Sequence, residues 1–234
     1  MESRDGKVDD VEHQPKQQLV DAVRMLEHAG IIDQNGHCSL RRDPRSFFIN
    51  SGASVRGALT TEDVVAVDLD GNLLEGAQKP PLEFHIHSEI YRGRPDVGAI
   101  AHTHPKWSTF LSMTGHAFRV VYAQAALLGD IPVLESPLSV NTKARGEGLA
   151  QTLGAGPAVL LKAHGATIVG AEMVECFALA TYLEENAYRQ YMAMQIGEPY
   201  VFSDEEQRLS RENLRAPHLL KKTWDHFRSK LAAP

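Results

Sequence analysis

Residues 80–105 read PPLEFHIHSEIYRGRPDVGAIAHTHP, and both the fold and the chemistry of the chain turn on this stretch. Its last part, Ala99-Ile100-Ala101-His102-Thr103-His104, has the apolar character of a buried strand that ends in two histidines two positions apart. Successive strand side chains alternate faces, so His102 and His104 project to the same side. Two adjacent imidazoles can fill two positions on one metal ion, and a zinc-type catalytic site needs one or two more protein ligands. His164, just past another apolar strand in Lys162-Ala163-His164-Gly165, and Glu83, at the head of the segment feeding the His-x-His strand, supply them. The expectation is one metal site made of Glu83, His102, His104 and His164. His87 lies four residues after Glu83 on a helix read from Leu82 to about Tyr91, which places both on the face that meets the strand.

A cupin would follow its His-x-His closely with a glutamate, and Pro105-Lys106-Trp107-Ser108-Thr109 contains none. Glu83 with His87, the run Tyr91-Arg92-Gly93-Arg94-Pro95-Asp96, His102-Thr103-His104-Pro105 and Ala163-His164-Gly165 together resemble the class II aldolase/adducin family, over about Gln18 to Tyr191. The resemblance implies an α/β fold, a three-layer α/β/α sandwich around a mostly antiparallel central sheet, assembled as a homotetramer. It also implies that three histidines and a glutamate hold a divalent metal, and that Glu83 is the catalytic group that handles protons. Because the family builds its sites between neighbouring subunits, Tyr188, Tyr191 and the C-terminal segments are the candidates to reach across.

With 234 residues, 43% of them hydrophobic and 23% charged, the chain suits one soluble globular domain with a sizeable core. A net charge of −6 argues against nucleic acid and anionic membranes as partners. Cys38 and Cys176 lack Cys-x-x-Cys spacing, so a disulfide framework is not expected and a cytoplasmic setting fits. No apolar run approaches the roughly 20 residues of a membrane span. The polar, acidic start differs from a signal peptide, and residues 1–14 are expected to lack structure, leaving 15–234 as a single domain.

Along the chain, Pro15 to His28 has the apolar spacing of a helix, with Gly30 following as its C-cap. Asn35-Gly36 marks a turn into a strand over His37–Arg41, and Arg45 to Ile49 is a second strand. Val64 to Leu74 forms a hairpin around Asp70-Gly71. Helices are predicted over Pro105–Thr114, Asn141–Leu153 with Asn141 as N-cap, Glu172–Met194, a segment from the Ser203 capping box to Leu214, and Pro217 to about Leu231. Strands are predicted over Asp130–Leu134, Ala158–Leu161 and Ala166–Val169.

A metal held by three imidazoles and a carboxylate stabilises an enolate as a Lewis acid, which serves both aldol cleavage and decarboxylation beside a carbonyl. Glu83 then returns the proton. The family's sugar-phosphate aldolases hold the phosphate with an Asn in a Gly-Asn-x-Ser turn and with two serines just before the glutamate. Here the turn reads Gly36-His37-Cys38-Ser39, and Pro80-Pro81 stands for the serines with neither hydroxyl nor N–H. Glu83 also differs from the Asp of the epimerase branch. His37, Ser39 and Arg41 alternate on one strand and are expected to face one pocket as substrate-binding residues, together with His87. The Gly-His-x-Ser pattern looks most like family members that decarboxylate hydroxylated aromatic or pyridine acids, which makes an aromatic dicarboxylate the expected substrate and Mn2+ the expected ion, with Zn2+ and Fe2+ as alternatives. The alternative functions are an aldolase on a non-phosphorylated hydroxy-acid or sugar, an iron oxygenase, and an adducin-like binding module.

Overall fold

The computed structural model describes residues 5–231. Eight strands form a single sheet: β1 (His37–Asp43), β2 (Ser46–Asn50), β3 (Val64–Asp68), β4 (Leu73–Glu75), β5 (Ala99–Thr103), β6 (Val133–Leu134), β7 (Ala158–Leu161) and β8 (Gly165–Gly170). Their spatial order is β4-β3-β2-β1-β5-β8-β7-β6. Every neighbouring pair is antiparallel except β6 with β7.

The strands between the two edges, β4 and β6, lie largely buried because their residues are mostly apolar on both faces, and each face meets helices. Phe48, Ala66, Ala101, Leu160 and Ile168 point to a core shared with α1 (Asp5–His28), α5 (Met173–Ile196) and α7 (Pro217–Arg228). Phe47, Ile49, Val65, Val67, Ile100 and Val159 point the other way, onto α2 (Phe84–Gly93) and α4 (Lys143–Leu153). The period of two along each strand therefore sorts the sheet into the middle of an α/β/α sandwich. Each fully buried Phe, Leu or Ile contributes about 1.5–3 kcal/mol. Helix α3 (Lys106–Thr114) lies against α5, and α6 (Asp204–Leu214) precedes α7. Trp224 of α7 packs edge-on against Phe177 with ring centroids 5.3 Å apart, so the C-terminal helix belongs to the chain's own core.

Three sequence-based boundaries shift. Helix α1 begins at Asp5, so residues 5–14 are helical rather than without structure; Pro15 removes one helical hydrogen bond but does not end the helix. Residues 1–4 lie outside the described residues. Helix α4 is capped by Thr142, whose side chain accepts from the Arg145 N–H, while Asn141 accepts from the Arg145 guanidinium instead. Helix α2 starts at Phe84, leaving Glu83 at its N-cap.

Candidate metal centre

The sheet sets the site by register. In the middle of the sheet His37 on β1 pairs with His102 on β5, and His102 pairs with Thr167 on β8. Ile100 points to the α2/α4 layer, so by alternation His102 and His104 point there too, at the strand's end. Two connections close the cluster from above. One is the segment Pro80-Pro81-Leu82 leading into α2, which places Glu83. The other is the β7–β8 hairpin, in which Leu161 pairs with Gly165 and Lys162-Ala163-His164 form the loop. Ala163 sits in the left-handed region at φ 54°, a conformation costly for a side chain bearing Cβ, and it is the residue that sends His164 into the cluster. Gly165 is required there as well: a Cβ would meet the Thr103 carbonyl oxygen at 2.2 Å and the His104 ring at 2.9 Å.

Glu83, His102, His104 and His164 each offer one ligand atom, and these atoms all lie within 4.8 Å of one another. His102 Nε2 is 3.6 Å from Glu83 Oε2, and His164 Nε2 is 3.8 Å from Glu83 Oε1. Among the described residues, His102 Nε2, His104 Nε2 and His164 Nδ1 are buried nitrogens with no hydrogen-bond partner. Orphaned buried polar atoms are rare and costly, and the unpartnered Nε2 atoms of His102 and His104, with His164 Nε2 beside the same carboxylate, make the donor set that a divalent cation satisfies.

The surroundings hold each ligand in a metal-ready state. His104 Nδ1 is 2.8 Å from Asp33 Oδ1, so its proton belongs on Nδ1 and its lone pair on Nε2, which faces the cluster. Burial alone would raise the Asp33 carboxyl, but the N–H of Asn35, His104 and the N–H of Gly36 together hold it below its ordinary range. His102 Nδ1 lies 3.2 Å from the Thr167 hydroxyl. Burial, reinforced by His104 and His164, keeps His102 well below the usual histidine range, and burial lowers His164 against the opposing pull of Glu83. Neutral imidazoles are what metal binding requires. The Glu83 carboxylate, although at a helix N-cap, caps no helical N–H. Its Oε1 accepts instead from the Val140 N–H at 2.7 Å and the Ser139 hydroxyl at 3.0 Å, which leaves Oε2 turned toward His37 and His102.

The other expected site residues divide. His37 does reach the centre: its Nε2, buried and without a partner, is 4.0 Å from Glu83 Oε2. Ser39 and His87 are fully buried behind it and hydrogen-bonded to one another, so they do not meet a substrate directly. Arg41 must be corrected. It shares the face of His37 and Ser39, but its guanidinium donates to the carbonyls of Val97, Tyr91 and Arg94 and lies 4.4 Å from the centre of the Tyr91 ring. Four positions along the strand carry it to the far end of α2, where the Tyr91 carbonyl of the last turn and the Arg94 and Val97 carbonyls just beyond it recruit the cation. Tyr188 and Tyr191 pack at a tilt against Trp107, each with ring centroids 5.1 Å from it, and do not join the cluster within one chain. The two positions directly before Glu83 are Pro81 and Leu82, the latter 80% exposed, so neither supplies a hydroxyl.

Sequence reasoning misses four contributors. Asp33 and Thr167 orient imidazoles. Glu184 of α5 accepts from the N–H groups of Trp107 and Ser108, fixing the start of α3 immediately after His104-Pro105. Arg56, buried, donates to the carbonyls of Gly36, Ser51 and Ser54 and so ties together the loops around His37. Of these only Asp33 carries a sequence signal, as an acidic residue two positions before the Asn35-Gly36 turn.

The model of the class II aldolase and adducin N-terminal domain matches residues 17–191. The chain belongs to this family. Among its relatives, an L-fuculose phosphate aldolase of Methanocaldococcus jannaschii is 28% identical over 180 residues, 74% of this chain and 93% of that protein. A 3,4-dihydroxyphthalate decarboxylase of Arthrobacter keyseri is 33% identical over 161 residues, 62% of this chain and 65% of that protein. A solved L-fuculose 1-phosphate aldolase superposes with a TM-score of 0.79 at 26% identity, covering 87% of this chain and 97% of that one. Members of the family with these names are lyases, and the His/Glu cluster stands where a divalent metal would serve such a reaction.

Proposed function

We propose that this chain is a metal-dependent carbon–carbon lyase that decarboxylates a hydroxylated aromatic or pyridine carboxylic acid, with 3-hydroxy-2-methylpyridine-4,5-dicarboxylate of vitamin B6 breakdown as the candidate substrate. The observation that carries this reading is the wall beside Glu83. Pro80, Pro81 and Leu82 offer no hydroxyl, and His37 stands where the family's sugar-phosphate aldolases have an amide, so the hydroxyl and amide set that would hold a phosphate is replaced by one imidazole. The 33% identity to a decarboxylase of a dihydroxylated aromatic dicarboxylate supports the same choice.

Glu83, His102, His104 and His164 would hold the ion, for which Mn2+ is the proposed species and Zn2+ the alternative. When bound, a divalent cation supplies a Lewis acid that stabilises negative charge on a phenol or carbonyl oxygen. Glu83, released from the ion as substrate binds, takes the proton of the ring hydroxyl and delivers it to the ring carbon that bears the carboxylate, producing the oxo tautomer of the ring. The bond from that carbon to the carboxylate then breaks, CO2 leaves, and the electron pair restores the aromatic ring. His37 Nε2, 4.0 Å from Glu83 Oε2, is placed to meet an oxygen of the substrate. Ser139 and the Val140 N–H keep Glu83 aimed while it exchanges the proton.

A second reading, aldol cleavage by an aldehyde-lyase, is favoured by the aldolase that matches 74% of the chain and by the superposition on a solved aldolase. Two substrates given separately to metal-loaded protein decide between them. With 3-hydroxy-2-methylpyridine-4,5-dicarboxylate, CO2 release is the expected result. Brisk cleavage of a ketose 1-phosphate to dihydroxyacetone phosphate, with no CO2 from the aromatic acid, would return the chain to the aldolases.

A further inference from the structure

Behind the metal centre runs a chain of buried polar groups that the proposed reaction does not itself require. His37 Nδ1 is 2.7 Å from His87 Nε2, His87 Nδ1 is 2.6 Å from Ser39 Oγ, and Ser39 Oγ is 2.8 Å from the Tyr91 hydroxyl. All four side chains are buried, between 0% and 3% exposed. They come together because His37 and Ser39 alternate along β1 while His87 and Tyr91 are four apart on α2, so a strand face and a helix face interleave. At one end of the chain is the Gly98 carbonyl, 3.5 Å from the Tyr91 hydroxyl. At the other end is His37 Nε2, buried, unpartnered, and directed at Glu83.

Such a chain has two proton arrangements. If all donors point away from the site, His37 carries its proton on Nδ1, His87 donates from Nδ1 to Ser39, Ser39 donates to Tyr91, and the phenol must donate to Gly98. If all donors point toward the site, the phenol donates to Ser39, Ser39 to His87 Nδ1, His87 Nε2–H to His37 Nδ1, and His37 keeps its proton on Nε2.

The distances select the second. The Gly98 carbonyl at 3.5 Å is beyond the usual range for an O–H···O bond, so the first arrangement would leave a buried phenol proton poorly accepted. The 2.6 Å gap between Ser39 and His87 is shorter than an N–H donor normally makes and suits a hydroxyl donor. In the second arrangement His87 and Ser39 each donate once and accept once, His37 accepts at Nδ1, and its Nε2–H proton faces the Glu83 carboxylate at 4.0 Å.

We infer that Ser39 and His87 are positioning residues that fix His37 in its Nε2–H form, making it a neutral hydrogen-bond donor to the substrate oxygen on which charge develops. The role toward substrate rests on the lyase reading above; the proton arrangement does not. Burial holds His87 at about 3, so its ring carries no charge at neutral pH, and His37, accepting at Nδ1 from the His87 Nε2–H, holds a single proton. A neutral imidazole N–H in a closed site stabilises a forming oxyanion without a proton having to be acquired first. It also explains why His37, unlike its cross-strand partner His102, is not among the metal-ligand group: its lone pair is spent on His87.

The test reads the proton directly. The full chain, labelled with 15N-histidine and loaded with diamagnetic Zn2+, is compared with Ser39→Ala and Tyr91→Phe by long-range 1H–15N correlation of the imidazole rings. Both His37 and His87 are expected as Nε2–H tautomers in the parent. Tyr91→Phe removes only one oxygen and leaves Ser39 donating to His87, so the tautomers should persist. Ser39→Ala disconnects the chain, and His37 should become a mixture of tautomers while metal content stays unchanged. On a substrate that the parent turns over, the same variant should lower kcat about tenfold with little change in KM, as loss of a transition-state donor would. An Nδ1–H His37 in the parent, a tautomer reversed by Tyr91→Phe, or an unaltered His37 in Ser39→Ala would each overturn the inference. The expected spectra without CO2 release would instead remove only the proposed substrate.

Discussion

At the scale of single residues, the site is decided by which nitrogen of each histidine is free. Asp33 holds His104 by Nδ1, and Thr167 lies beside His102 Nδ1, so both rings turn Nε2 inward. Orienting partners of this kind typically change metal affinity 10- to 100-fold when removed. Asp33→Ala should therefore weaken metal binding by about that factor in a competition titration with a chelator, while the protein stays folded. Unchanged affinity would show that His104 is oriented without it. Glu83→Gln keeps the size and one oxygen, so the ion should be weakened but retained, whereas turnover should fall by about 10²-fold or more because the proton donor is gone. Near-normal turnover in steady-state assays would move protonation to another group. Arg41 belongs to a different account from the one its strand position suggests. With three carbonyl acceptors and the Tyr91 ring, Arg41→Ala should lower stability by about 2 kcal/mol in denaturant unfolding and leave substrate binding alone. A selective loss of substrate affinity would restore it to the pocket.

At the scale of elements, period-two patterning makes most of the sheet legible: spacing alone assigns His102 and His104 to one face, and register then puts His37 and Thr167 beside them. The same rule over-reaches at Arg41, because alternation gives a side but not a distance along the strand. Pairings such as His104 with Asp33, 71 positions apart in the chain, carry no local pattern at all. Nor could sequence show that Ala163 takes a left-handed conformation, since that residue usually avoids it. Ala163→Gly should relieve this strain and stabilise the apo protein by up to about 1 kcal/mol, yet loosen His164 and weaken the ion. A thermal unfolding scan with and without metal separates the two effects, and parallel changes in both would contradict the assignment. The β1–α2 layer also makes stability depend on pH. His87 titrates at about 3 when folded and near 6.5 when unfolded, so between these values the unfolded state binds the extra proton. Metal-free protein should lose about 1.4 kcal/mol per pH unit on this account as pH falls below 6.5, and His87→Gln should lose less. An equal slope in both would show that His87 is protonated in the folded state.

At the scale of the whole molecule, one mostly antiparallel sheet between two helical layers brings residues from 33 to 167 to a single point, and every chain-distant ligand arrives on a strand end or a tight turn. The far end of α5 and the residues just beyond it expose Met192, Ile196, Tyr200 and Val201, and Tyr188 is 39% exposed on Trp107. These apolar side chains suit burial between copies, and we expect light scattering to give a homotetramer; a fully active monomer would contradict this. Because Leu220 and Trp224 lie in the core, removing α7 should unfold the chain rather than merely trim an interface. The central claim is that Glu83, His102, His104 and His164 hold one divalent ion, and elemental analysis after dialysis against Mn2+ or Zn2+ tests it most directly. The parent should retain a single ion per chain, while His102→Ala, His104→Ala and His164→Ala, each folded by circular dichroism, should lose most of it. Full retention of the ion in any two of these variants would contradict the site.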